Sequence, residues 1–142
     1  MRKKIFSGIL LVVISYAGCF AQSFTGKWKN IDDETGKPKA VIEIFKKGDH
    51  YYGKILELLI KPTNNNCVKC TDDRKNKPLL GLEMLRSMTL EGKELTGGKI
   101  LDPSKGKEYK CTISFENSNK LKVRGYIGVS LIGRNQYWER MK

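Results

Sequence analysis

Histidine is almost missing from this chain: His50 is the only one in 142 residues. No His-containing triad, nucleophile elbow or phosphate-cradling glycine loop appears. His50 itself falls at a turn–strand junction, where an exposed, idle side chain is expected. Acidic residues are scarce as well, 15 against 27 lysines and arginines. Those present, such as Glu43, Glu57 and Asp102, are isolated on strands or turns, so their spacing offers no catalytic carboxylate pair. Long helical periodicity is absent after the first twenty or so residues. Catalytic residues and cofactors are accordingly expected to be none, and the chain does not read as an enzyme.

What is present begins with a leader. Arg2, Lys3 and Lys4 precede an apolar run from Ile5 to Tyr16, and the run exits through Ala17-Gly18-Cys19-Phe20-Ala21. That order of charge, apolar stretch and small residues is a secretory signal, with cleavage expected after Ala21. The run is short of the ~20 residues that a spanning helix needs. Lipidation at Cys19 is the weaker alternative, because Tyr16 stands where a branched aliphatic residue is usual. Residues 1–21 are therefore read as signal peptide and 22–142 as one domain, periplasmic or secreted. Cleavage removes three basic residues and no acids, so the formal charge falls from +12 to +9. The lysines are interspersed with acids, which suits a solvated surface. Contact with the envelope or a membrane surface is compatible with that charge, and a nucleic-acid partner is not expected of an exported chain.

The domain reads as strands and turns. Phe24–Asn30, Ala40–Phe45, Tyr51–Leu59, a stretch from Leu82 to Leu90 after pattern resumes at Leu79, Glu94–Leu101, Tyr109–Phe115, Leu121–Ile127 and Leu131–Arg140 carry strand patterns. A short helix is the alternative for the fourth. Tyr109, Cys111, Ile113 and Phe115 share one face while Lys110, Thr112 and Ser114 share the other. Gly53 suggests a bulge or a close approach, and Gly97-Gly98 weakens the fifth strand. About eight antiparallel strands with short turns predict an all-β, up-and-down barrel, with a two-sheet sandwich as the alternative. The piece from Lys61 to Pro78 is long and non-periodic, and in a barrel it belongs at one mouth.

Cys67-Val68-Lys69-Cys70, inside that piece, has the spacing of a redox motif or half a zinc site. An oxidising compartment makes a local disulfide the expectation. A zinc site would need two further ligands and neither Cys111 nor His50 is obviously placed, so no metal is expected. Cys111 reads as a buried thiol acting as a small hydrophobe.

The last strand places Ile132, Arg134, Gln136, Trp138 and Arg140 on one face. If Trp138 points inward, so do Arg134 and Gln136, and an inward Arg needs an internal carboxylate or an anionic head group. Arg124 and Tyr126 lie opposite Leu121 and Val123, outward unless Gly125 or Gly128 resets the phase. Arg134, Gln136, Trp138, Arg124 and Tyr126 are the candidate ligand-binding set.

Gly26-x-Trp28 soon after a leader resembles the opening signature of lipocalins. In that family the tryptophan crosses the closed end of the barrel and a basic residue of the last strand covers it. The resemblance assigns those parts to Gly26, Trp28 and Arg140. Gly97–Pro103, Gly106-Lys107-x-Tyr109, Lys122–Gly128, Gly133-Arg134-x-Gln136-x-Trp138-x-Arg140, the Thr35-Gly36-Lys37 turn and the Cys-x-x-Cys loop followed by Pro78 and Gly81 extend it. Together they resemble a family of small exported bacterial proteins known as a domain of unknown function. The resemblance covers nearly the whole domain. It implies a lipocalin-like barrel holding a small hydrophobic or amphipathic ligand; the residue pattern of the last strand allows that ligand an anionic end near Arg134. A thiol-redox protein using Cys67 and Cys70, or an envelope interaction protein with a filled barrel, are the alternatives.

Overall fold

The computed structural model describes residues 12–14, 22–129 and 132–142. The rest of the expected leader, Cys19 included, and Leu131 lie outside the described residues. Eight strands follow one another: β1 (Gly26–Ile31), β2 (Pro38–Lys47), β3 (His50–Leu58), β4 (Glu83–Glu91), β5 (Glu94–Asp102), β6 (Lys107–Asn117), β7 (Lys120–Tyr126) and β8 (Gly133–Arg140). Each pairs antiparallel with its sequence neighbour, and β1 pairs with β8, so the sheet closes into a barrel. Closure leaves no exposed strand edge. The fourth stretch is a strand rather than a helix, and it starts within one residue of the expected Leu82. Leu79 and Leu82 precede it, buried at the end of the long loop.

Alternation sets which side chains turn inward. Cys111 and Ile113 on β6 and Leu121 and Val123 on β7 are buried, with Tyr109 and Phe115 packed against the same core. β4 breaks the rule: Met84, Leu85 and Met88 are all buried. Ser87 takes a left-handed φ of 57° there, and the β3–β4 register shifts around Gly53. Two glycines accommodate this irregular strand. A Cβ at Gly53 would sit 3.0 Å from the Leu85 Cβ, and one at Gly98 would collide with the Arg86 carbonyl. The expected close approach at Gly53 and the weak point at Gly97-Gly98 are thus two sides of one bulge.

Short turns at Gly48-Asp49, Gly92-Lys93 and Ser118-Asn119 join strands at one end. Longer connections, 32–37, 59–82 and 103–106, gather at the other, with Ile127–Val129 and Ile132 of the β7–β8 connection beside them. The barrel therefore has a tight floor and a mouth built from four loops.

Candidate ligand cavity

The floor is built around Trp28, fully buried on the inner face of β1. Its indole N–H donates to the Phe24 carbonyl at 2.9 Å. Phe24 stacks on Phe115 with ring centroids 4.5 Å apart. Trp28 and Arg140 are register partners across the β1–β8 seam, so their side chains leave the sheet on the same side. The Arg140 guanidinium carbon lies 4.2 Å from the Trp28 ring centroid. Its remaining N–H groups donate to the carbonyls of Ser118 (3.2 Å) and Ser23 (3.0 Å). Gly26 has φ of +126°, a conformation that L side chains rarely adopt, and its Cα faces the Arg140 guanidinium. The structure thus brings together the three residues expected to close the barrel.

At the mouth, the 59–82 loop is fastened rather than free. Cys67 and Cys70 form a disulfide, and both are buried. Arg74, 2 % exposed, is the loop's main anchor. It donates to both Asp72 oxygens at 3.1 Å and to the Glu83 carbonyl of β4 at 2.7 Å, and it pairs with Glu108 of β6 at 2.9 Å. The hydrogen bonds from Arg74 hold the Asp72 carboxyl down to about 2. Beside it, Arg86 of β4 makes a two-pronged bond to Asp73, at 2.8 and 2.9 Å. Gly106, at φ +64°, lies directly under Lys69, and a Cβ there would collide with the Lys69 carbonyl. The β5–β6 turn and the disulfide loop therefore touch backbone to backbone. Nothing in the sequence pattern pointed to Arg74, which sits in a charged, non-periodic run.

Between floor and mouth lies a cavity with two lobes. The larger, about 510 Å³, is walled by Ala40, Ile42, Ile55, Leu79 and Met84 and roofed by Ile60–Asn64 and Val68. The smaller, about 400 Å³, runs under the 32–34 and 103–105 segments and is bordered by Ile127, Ile132 and Gly133. Asn30, Lys39, Met84, Asp102, Pro103 and Ser104 border both lobes, which places the junction of the two there.

The expected ligand-binding residues divide. Gln136 faces the smaller lobe, and Arg134 and Tyr126 reach its rim. Trp138 is fully buried and lines neither lobe; its indole N–H points to Gln136 Oε1 at 3.4 Å. Arg124 lies on the outer face, as strict alternation requires, and donates to Asn135 across the β7–β8 pair at 2.8 Å. Arg134 is turned to the first connecting loop. It donates to Asp33 at 2.9 Å and lies 3.6 Å from Glu34. The bond to Asp33 raises its pKa further. Lys39 is 3.7 Å from Asp32, whose pKa is lowered mainly by the Glu34 backbone N–H. Two of the basic groups beside the smaller lobe, Lys39 and Arg134, are thus matched by acids of the 32–34 turn.

His50 is exposed, its Nδ1 3.3 Å from the Thr89 hydroxyl. Burial pushes the Cys111 thiol up to about 12, so it is an unreactive part of the core. Among the described residues no three His, Cys, Asp or Glu side chains gather as a metal-holding set.

Asn30 is the residue that pattern reasoning passed over. The signal existed: alternation from Trp28 puts Asn30 inward, and an inward asparagine on a barrel strand needs a partner. It is 7 % exposed, and its Oδ1 has no hydrogen-bond partner.

No curated protein matches the chain. Among solved structures, the barrel is similar to protein HP1028 of the human pathogen Helicobacter pylori, described as belonging to the lipocalin family. The TM-score is 0.74 at 17 % identity, over 86 % of this chain and 85 % of that one. The likeness is one of fold: eight antiparallel strands closed as in a lipocalin. A family profile matches residues 26–140, from the glycine of β1 to the arginine of β8. The chain belongs to the DUF2147 family, described as an uncharacterized protein conserved in bacteria.

Proposed function

We propose that this protein is an exported carrier that holds one small hydrophobic or amphipathic molecule inside the barrel. The observation that carries the reading is the larger lobe. At about 510 Å³ with an apolar wall, it falls in the range of small-molecule sites. A barrel filled by its own side chains would lack it. The lipocalin-like fold supports the same reading, and the leader Arg2–Ala21 supports export. The thiol alternative gains less: Cys67 and Cys70 are each 1 % exposed, out of reach of an exchange partner, which suits a loop clip.

Contact with a membrane surface is part of the proposal. Ile60, Val68, Leu80, Ile127, Val129 and Ile132 are all exposed, and all lie in mouth loops. Lys61, Lys69 and Lys105 stand among them. An apolar rim studded with lysines fits an anionic lipid surface, from which an amphipathic ligand could pass directly into the barrel.

Native mass spectrometry of protein purified from its own host tests the carrier reading. A stoichiometric adduct, or uptake of one member of a lipid and hydrophobic-dye panel, is expected. A mass free of ligand together with no uptake from the panel would refute it.

A further inference from the structure

Asn30 lies on the inner face of β1, two residues above Trp28 towards the mouth. Its register partners are Ala40 on β2 and Trp138 on β8, both buried. The side chain borders both lobes, yet its Oδ1 has no partner. Buried polar atoms are satisfied in folded proteins with few exceptions, and the exceptions call for a cause. The surrounding charges do not supply one. Lys39 faces Asp32, and Arg134 faces Asp33 and Glu34. At the junction the Ser104 hydroxyl is spent on Asp102, and the Gln136 amide on the smaller lobe makes no bond to Asn30. Ala40, Ile42 and Met84 have no side-chain N–H or O–H to offer.

We infer that the ligand carries the missing donor: a neutral amphiphile whose hydroxyl or amide N–H bonds Asn30 at the junction of the two lobes. This rests on the carrier reading and narrows its ligand class. A carboxylate is acceptor-only: it can pair with the amide nitrogen but leaves Oδ1 without a donor. A hydroxyl fits best, because it can donate to the amide oxygen or accept from the amide nitrogen, whichever end is presented. The apolar lobe then takes the chain, and any second polar group points to the mouth. An apolar wall with one buried polar contact is the usual design of a selective small-molecule site.

Displacement of a fluorescent hydrophobic dye tests the inference, with dodecanol, dodecanamide, dodecanoate and dodecane as probes. The wild-type protein is expected to take dodecanol or dodecanamide about tenfold more tightly than dodecane, the size of one well-made hydrogen bond. Dodecanoate is expected to rank below the alcohol. Asn30→Leu should abolish the preference for the alcohol over the hydrocarbon while still binding the hydrocarbon. It should melt no lower than wild type, because an orphaned acceptor has been replaced by an apolar group. Asn30→Thr keeps a hydroxyl on a strand-compatible side chain and should retain part of the preference, which guards against a folding defect in the leucine variant. Equal binding of dodecanol and dodecane by the wild type, or an alcohol preference that survives in Asn30→Leu, would overturn the inference and leave the carrier reading standing. Failure of every probe and of the dye to bind would instead remove the carrier reading, and this inference with it.

Discussion

Arg74 offers the sharpest test of how the mouth is held. Replacing it by Met keeps most of the aliphatic stem, so packing is largely preserved and the loss falls on the guanidinium. The guanidinium ties Asp72 within the loop to the Glu83 carbonyl on β4 and to Glu108 on β6. Breaking a fully buried ion pair costs ~3–5 kcal/mol. The Asp72 and Glu108 side chains are 35 % and 34 % exposed, so water would take over part of their solvation. That screening lowers the expected loss to about 2–3 kcal/mol. For a domain of this size the melting temperature should then fall by about 10 °C. Urea unfolding followed by tryptophan fluorescence suits the measurement, since Trp28 and Trp138 are both fully buried. Acid adds a second readout. Asp72 has a folded-state pKa of about 2 against 3.8 as its ordinary value. The unfolded chain therefore binds the extra proton first, and the stability gained from Asp72 is complete above 3.8 and lost as pH falls towards 2. Arg74→Met should lack that part of the acid dependence. A variant within ~0.5 kcal/mol of wild type, the range of an ordinary surface substitution, would show that the disulfide and the Gly106 contact hold the loop without Arg74.

At the floor, Arg140→Ala removes a cation–π contact and two bonds to backbone carbonyls, and should cost about 2 kcal/mol with an altered Trp28 emission. Arg140→Lys should recover less than half of that, because an ammonium lacks the planar fork that stacks on the indole and reaches both carbonyls; full recovery would refute the geometry as the source. At the mouth, Ile127→Asp with Ile132→Asp should abolish flotation of the protein with anionic lipid vesicles while leaving its melting temperature within about 2 °C of wild type, as expected of exposed positions. Unchanged flotation would rule these loops out as the membrane contact.

The strands were legible because inward and outward positions alternate so regularly on β6 and β7. Closure was legible through the Gly26-x-Trp28 opening and the basic residue at the far seam. The expectation slipped where local irregularity overrides alternation. β4 carries the bulge at Ser87, so its buried residues Met84, Leu85 and Met88 do not fall two apart. The site was harder to read than the fold. Arg134 and Gln136 were placed towards the interior by phase alone, and phase cannot reveal that Asp33 and Glu34, about a hundred residues away in sequence, already engage Arg134. Trp138 was inward as expected, yet inward means core at that level of the barrel and cavity only higher up. Asn30 was open to the same logic that placed Trp28, but attention to charged and aromatic side chains left a single neutral amide unnoticed.

The seam between β1 and β8 has a consequence for how the protein is made. Every other strand pair joins near neighbours in the chain, whereas this one joins residues more than a hundred positions apart. The cost of bringing such distant segments together is met only once both are available. A nascent chain that lacks β8 exposes the unpaired edges of β1 and β7, and Trp28 has no guanidinium over it. Such an intermediate has open strand edges at which chaperones, proteases or other chains can act. Joining the last strand to the first is therefore the step that separates a protected molecule from a vulnerable one. An incomplete product would be marked for removal by its own edges.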